Sequence, residues 1–228
     1  MSLLELTRGP LLTVALTIFF LGIGWRLIGL YVLLPRRVPL SPSRRASLTG
    51  AGLRAVLTRM VPRKHVELRA TATLVTMNPY VFHIGLAIIA FGYLPHIAFI
   101  KRLTGIAWPA LPDVVMYLAA AATIVSLLIA LLFRLTDPVL KRISNFDDHL
   151  TWIVTMLPIL TGMALIDSPS AVLAERASPV NPTALGVHLL ALELLLIWFP
   201  FGKLMHAILF IPTRAQLGVD MARRGVDA

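Results

Sequence analysis

The chain has 228 residues, 57% of them hydrophobic and 14% charged, with no cysteine and a formal net charge of +10. That composition leaves too little polar surface to cover a water-soluble globule of this size, so a bilayer has to cover it. Without thiols the chain supplies no disulfide, iron–sulfur cluster or thiolate metal site, and any redox cofactor must be held by histidine or methionine.

A helical crossing takes roughly 20 apolar residues at 1.5 Å rise each, and five stretches satisfy that length. The first is residues 11–34, too long for a signal-peptide core and followed by no small-x-small cleavage site, so it reads as a retained span. A basic segment, 35–78, comes next. In it Leu53, Val56, Leu57 and Met60 recur at helical spacing while Arg54, Arg59 and Arg63 fall elsewhere. This is the pattern of a helix lying on the membrane surface, against anionic lipid or a soluble partner. His65, in the same basic run, reads as solvent-facing. The remaining spans are 79–100, 114–133, 150–166 and 184–211, separated by Pro109 and Pro112, Asp137-Pro138, Pro169, and Pro179 with Pro182. His149 follows Asp147-Asp148 at the start of the fourth span and reads as an interfacial cap, since both acids favour a helix N-terminus.

The basic residues lie between the apolar stretches, which is how topology is set and is not the layout of a nucleic-acid surface. Nine Lys and Arg lie in 35–78, three in 134–149 and three after Pro212, against Arg8, Lys101, Arg102 and Arg176 on the other side. Fifteen against four puts the N-terminus outside and the C-terminus in the cytoplasm. The expectation is an all-α integral membrane bundle of five transmembrane helices, a single domain over 1–228, multi-pass in the cell inner (cytoplasmic) membrane.

Ionisable groups inside a membrane are rare, so each is a functional candidate. His188 and His206 are 18 residues apart, and 18 steps of about 100° bring them to one face of a continuous last helix, separated by about 27 Å. His83 and His96 lie about 20 Å apart in the second span by the same rise. That span runs outward and the last runs inward, so His83 shares the cytoplasmic level with His206, and His96 the outer level with His188. Two histidines at each of two depths suit two stacked bis-histidine haems; packing histidines or a proton relay remain as alternatives. Arg26 pairs with a haem propionate or snorkels to the surface. Glu193 carries protons near a quinone or pairs with a basic residue of a neighbouring helix.

The stretch from His188 to His206, ending Phe199-Pro200-Phe201-Gly202-Lys203-Leu204-Met205-His206, resembles the last helix of the gamma subunit of respiratory nitrate reductases. Phe82-His83-Ile84-Gly85 resembles a ligand segment of that family, and Phe20-Leu21-Gly22-Ile23-Gly24-Trp25-Arg26 its first helix. The segment running into His83 is also similar to the membrane cytochromes of the dissimilatory sulfite-reduction complex and heterodisulfide reductase. The resemblance implies haem ligation by His83, His188 and His206, with Lys203 on the propionate side in place of the family's arginine, or snorkelling. The family's remaining ligand position falls on Tyr93, with Pro95 and His96 just beyond. Pro95 breaks regular helix geometry and can turn His96 back toward the haem slot, which makes His96 the expected ligand ahead of Tyr93.

The function so implied is a dihaem cytochrome b holding two haem b. It would pass electrons between quinone and a cytoplasmic iron–sulfur subunit with its catalytic subunit, while membrane lipid surrounds it and nucleic acid plays no part. The contrasting reading is a haem-free membrane anchor or transporter with structural histidines; against it, the spans show no inverted repeat and no matching pair of Gly/Pro-broken segments. No phosphate loop, nucleotide fingerprint or nucleophile–base constellation is present. The orientation is testable directly. A reporter active only in the cytoplasm is expected to work when fused after Ala228 and to fail at the N-terminus, and the inverse result would reverse every depth assignment.

Overall fold

The computed structural model describes residues 2–33, 48–60, 70–165 and 181–224. The described residues are helical, with no strand among them. The helices are α1 (Leu3–Arg8), α2 (Pro10–Leu33), α3 (Leu48–Met60), α4 (Ala70–Gly92), α5 (Leu94–Thr104), α6 (Asp113–Thr136), α7 (Pro138–Ile143), α8 (Phe146–Met163), α9 (Pro182–Trp198) and α10 (His206–Arg223). Three stretches are long and apolar enough to cross a membrane, Leu3–Val32, Thr73–Gly92 and Asp113–Thr136, and a fourth arises if Pro182–Trp198 and Lys203–Arg223 make one span. His65 and the basic residues Arg36, Arg37, Arg44, Arg45, Arg63, Lys64, Arg69 and Arg176 lie outside the described residues.

The chain divides into two compact units, one of residues 1–18 and 69–198, the other of 19–68 and 199–228. In the first, α4 packs on α6, α6 on α8, α8 on α9, and α9 on α1. Its apolar centre is Leu127, Met156 and Ile159, with Phe82, Ile124 and Trp152 closing over it. Three polar links tie its helices together, as a low-dielectric interior favours. The Asn78 amide donates to the Ser126 carbonyl and the Ser126 hydroxyl to the Asn78 carbonyl, each at 3.0 Å, joining α4 to α6 just before Pro79. The Trp152 indole donates to the Leu127 carbonyl at 2.8 Å. Arg134 reaches buried Asp148 at 2.6 Å and the Ser144 hydroxyl at 3.0 Å, tying the end of α6 to the start of α8.

The second span departs from the continuous helix expected over 79–100. Helix α4 begins at Ala70 and stops at Gly92, Tyr93 is extended (φ −81, ψ 127), and α5 restarts at Leu94 with Pro95 in its first turn. Pro95 has no N–H for the Phe91 carbonyl, which accepts instead from the Trp108 indole. The Gly92 carbonyl takes the Leu111 amide at 2.9 Å. Helix α5 then ends on Gly105, whose left-handed backbone (φ 79) suits glycine, its N–H donating to the Lys101 carbonyl at 2.8 Å.

The last span is also broken, so the single helix expected over 184–211 is corrected. Helix α9 ends at Trp198, the residues through Gly202 form turns, and a 3₁₀ turn over Lys203–Met205 leads into α10. Pro200 cannot supply the N–H that would continue α9, and the residue before a proline disfavours helix. The five-turn arithmetic from His188 to His206 therefore does not apply. The expected cap at His149 is corrected as well. Asn145 caps α8, its side chain accepting from the Asp148 N–H at 3.2 Å while the Asp148 carboxylate accepts from the Asn145 N–H at 3.0 Å.

In the second unit α3 packs on α10 through small residues. A Cβ at Gly52 would meet the Ala215 carbonyl at 3.1 Å, and one at Gly218 the Ala55 Cβ at 2.5 Å. Ala55 and Val56 are the buried face of α3, while Leu53 and Leu57 are exposed.

Close approach is equally constrained in the first unit. A Cβ at Gly85 would collide with the Thr123 hydroxyl, itself donating to the Ala119 carbonyl at 2.6 Å. Gly85→Ala is expected to destabilise the protein in detergent by about 1–3 kcal/mol, the usual cost of overpacking. Thr123→Ala added to it is expected to recover part of that loss in a thermal unfolding series; strictly additive losses would remove Gly85 from the α4–α6 contact.

Candidate functional site

Four of the six candidate site residues are histidines, and each has its ring Nδ1 on an oxygen. His83 lies at 2.6 Å from the Pro79 carbonyl, His96 at 3.0 Å from the Ile89 carbonyl, His188 at 3.1 Å from the Thr161 hydroxyl and His206 at 2.7 Å from the Lys203 carbonyl. A carbonyl only accepts, so Nδ1 of His83, His96 and His206 carries the proton and Nε2 the lone pair of the neutral ring. Thr161 donates its own hydrogen to the Leu157 carbonyl at 2.8 Å, so it too accepts from the imidazole of His188. These hydrogen bonds fix the tautomer and ring orientation that leave Nε2 as the atom able to bind a metal.

In the first unit the break at Tyr93 decides where His96 goes. On an unbroken helix His83 and His96 would point about 220° apart. With the chain extended at Tyr93 and restarted at Pro95, the ring of His96 folds back onto the Ile89 carbonyl and comes opposite His188. The two imidazole planes are parallel within 10° and their centroids are 6.5 Å apart. An iron between two Nε2 atoms, with imidazole–metal bonds of about 2.0 Å and a ring radius of roughly 1.1 Å, requires centroids roughly 6.3 Å apart. The separation of this pair is close to that value and its planes are parallel.

Gly162 lines the same place. A Cβ there would sit 3.2 Å from Cε1 of His188, so the absent side chain leaves the ring its room. Tyr93, the other candidate ligand, packs its ring edge-on against His96 at 5.3 Å. Among the described residues there is no cluster of three or more His, Cys, Asp or Glu able to hold a metal ion. A two-histidine site suits an iron whose remaining ligands come from a macrocycle better than a zinc ion needing three or four protein ligands. Neither Thr161 nor Gly162 carries a local signal in the sequence; Thr161 falls five residues before the end of the expected span 150–166 with nothing nearby to connect it to His188.

The second unit gathers Arg26, Lys203 and His206. On α2, Phe19, Gly22 and Arg26 share one face at helical spacing. The ring of Phe19 meets Phe199 at 5.1 Å, and a Cβ on Gly22 would strike the Pro200 ring at 2.6 Å, so the helix seats closely on the turn where Pro200 is fully buried. One turn further along, Arg26 lines a cavity of about 370 Å³ together with Lys203, His206 and Arg214. The segments picked out by the resemblance, 20–26 and 199–206, are thus neighbours here. Arg214 was missed: it lies two turns past His206 in a stretch read only as a basic tail.

His83 belongs to the first unit and His206 to the second, each with the ring geometry given above. Glu193 is buried in α9 at 1% exposure, and neither carboxylate oxygen has a hydrogen-bond partner among the described residues.

The architecture defines an all-helical protein with several helices of membrane-crossing length. The chain belongs to the same family as a protein of Nitratidesulfovibrio vulgaris described simply as a protein, with which it is 30% identical over 222 residues, covering 95% of this chain and 93% of the relative. No family model matches the chain. No solved structure matches it.

Burying a carboxyl without a partner is costly, of the order of 1–3 kcal/mol by mutational measures. Glu193→Met keeps the length of the side chain and removes that cost, so its unfolding midpoint in detergent is expected to rise by several degrees. An unchanged or lower midpoint would mean that Glu193 has a partner outside the described residues.

Proposed function

We propose that this chain is a membrane cytochrome b that carries electrons between quinone and the iron–sulfur subunit of a respiratory oxidoreductase, in the manner of the nitrate reductase gamma subunits it resembles. In this reading the chain crosses the inner membrane five times, N-terminus outside, and holds two haems. One is ligated by His96 and His188, the other by His83 and His206, with Lys203 and Arg26 on its propionate side. The observation that carries the reading is the pair of parallel imidazoles 6.5 Å apart, each with Nδ1 hydrogen-bonded to an oxygen.

Haem iron, when bound, supplies a one-electron centre. The chain's own residues do the rest. His96 and His188 orient their lone pairs from two different helices, so the site depends on α5 and α9 holding their spacing. The carbonyl of Ile89 and the hydroxyl of Thr161, by accepting hydrogen bonds from the two Nδ1 groups, would strengthen the rings as donors to iron. Quinone chemistry also moves two protons, which an iron ligand cannot accept without leaving the metal, and Glu193 on the same helix as His188 is the carboxyl we assign to that task. The chain has no cysteine, so clusters and the terminal substrate site belong to partner subunits.

A reduced-minus-oxidised spectrum of the purified chain tests the reading, with a b-type band as the expected result. Its absence would leave a haem-free anchor. The ligand pair is tested by His96→Ala and Tyr93→Phe. Loss of the outer haem is expected in the first and retention in the second, because phenylalanine keeps the ring packing and deletes the only atom through which Tyr93 can ligate. The reverse outcome would transfer the ligand to Tyr93. In the parent protein, near-parallel imidazole planes on a haem iron would give a rhombic low-spin resonance, which is the signal expected from that haem.

A further inference from the structure

Helix α3 gives its small residues to the contact with α10 and turns two leucines outward. Ala51, Gly52 and Ala55 meet Ala215, Gly218 and Val219 across that contact. Of the larger apolar side chains described on α3, Val56 is buried, whereas Leu53 is 60% exposed and Leu57 53%. In water a helix gains most by burying leucine and least by burying glycine and alanine, so this choice is the wrong way round for a face in water. It is the usual choice in a membrane, where the surroundings are as apolar as leucine and close contact between small residues holds helices together. The Thr58 hydroxyl, next to Leu57, turns back to the Arg54 carbonyl at 2.8 Å and so adds no free donor to the outward face. Arg54 lies on that face with the two leucines, and the segment 35–78 around it holds nine Lys and Arg against one acid, Glu67. A cationic side chain between leucines suits the depth at which its stem lies in hydrocarbon while its guanidinium reaches a phosphate. The fold brings α3 to such a depth. Arg26, in the last third of α2, lines one cavity with Arg214, and the next residue of α10, Ala215, meets Gly52 of α3. Helix α2 belongs to a stretch long enough to cross the bilayer, so α3 lies beside the end of a span.

We infer that α3 is a lipid-binding face, lying in the headgroup layer with Leu53 and Leu57 among the acyl chains and Arg54 on the phosphate of an anionic lipid. The sequence left this helix to anionic lipid or to a soluble partner. Packing favours the lipid, because a seat for a soluble subunit would stand in water whenever the subunit is away, with both leucines uncovered. No haem is involved, so this role of α3 stands or falls apart from the proposed electron transfer.

The chain has no cysteine, so one introduced thiol takes a fluorophore at a single place. Leu53→Cys and Leu57→Cys are labelled in the full chain and reconstituted in phosphatidylcholine vesicles with and without phosphatidylglycerol. Brominated phospholipid then quenches from the lipid side and acrylamide from the water side. With phosphatidylglycerol present, both labels are expected to be quenched by the brominated lipid and shielded from acrylamide. Leu57→Cys carries the measurement alone if the Leu53→Cys chain does not accumulate. Arg54→Gln, added to Leu57→Cys, is expected to shift the balance of lipid-side over water-side quenching about fivefold toward water, the effect of one basic residue at an anionic surface. Arg54→Lys is expected to keep most of that balance. Labels quenched by acrylamide in both kinds of vesicle would overturn the inference and leave the face to a soluble subunit. Quenching by brominated lipid that ignores both phosphatidylglycerol and Arg54→Gln would overturn the assignment to anionic lipid.

Discussion

Inside hydrocarbon a backbone amide or carbonyl has no water to turn to, so a proline in a long apolar helix obliges the chain to find a substitute partner nearby. Two prolines shape this molecule in that way. Pro95 leaves the Phe91 carbonyl to the Trp108 indole, and the adjacent helix end gives the Ile89 carbonyl to the ring of His96. The interruption and the orientation of the imidazole are one event, because the bond that satisfies the broken helix also fixes the ring's tautomer. Pro200 ends α9 and is itself buried against the bare backbone of Gly22. Past that turn the chain starts a new helix on His206, whose ring closes on the Lys203 carbonyl.

Missing side chains matter as much as present ones. Lipid tails are as apolar as leucine, so helices in a membrane associate through close contact and polar pairs instead of through exclusion of water. Gly85 lets α4 approach Thr123 of α6, and the Asn78–Ser126 exchange locks the same two helices two turns away. Gly162 makes room for His188, and Gly52 with Gly218 brings α3 onto α10. The tightest points of this frame are glycines, and on α4 His83 and the close-packed Gly85 lie on opposite sides of a single turn.

Much of this was legible in the sequence, for reasons that can be named. The first and third spans announce themselves by unbroken apolar length, and residues 11–34 and 114–133 fall within three residues of Pro10–Leu33 and Asp113–Thr136. The turn of His96 toward a partner could be anticipated from Pro95, because the effect of a proline on a helix is local. Pro200 carries the same signal and was passed over: an apolar run with histidines 18 residues apart makes a persuasive single helix, and periodicity says nothing about a break inside it. The cap of α8 was misread because an acidic pair drew attention to its neighbour, although Asn145 three residues before Asp148 is the capping pattern. The face of α3 was misjudged in a related way, since its helix buries small residues where tight packing decides, and leaves Leu53 and Leu57 outside. Thr161, Gly162 and Arg214 act through contacts between segments distant in sequence, and nothing in their immediate surroundings reports such a contact.

Glu193 brings the packing and the chemistry into conflict. It lies five residues after His188 on α9, about 7.5 Å along the axis and about 140° around it. Seven residues before it, on the same stripe, Gly186 receives Leu3 of α1, whereas His188 turns to Thr161 and Gly162 of α8. The carboxyl and the imidazole thus occupy different faces of one helix, and the histidine does nothing to offset the cost of burying the acid. A buried acid that contributes no stability and sits apart from the ring is poorly explained as packing. In the proposed function this would separate two tasks on one helix, the imidazole face of α9 serving electron transfer and the Glu193 face, which meets α1, proton transfer.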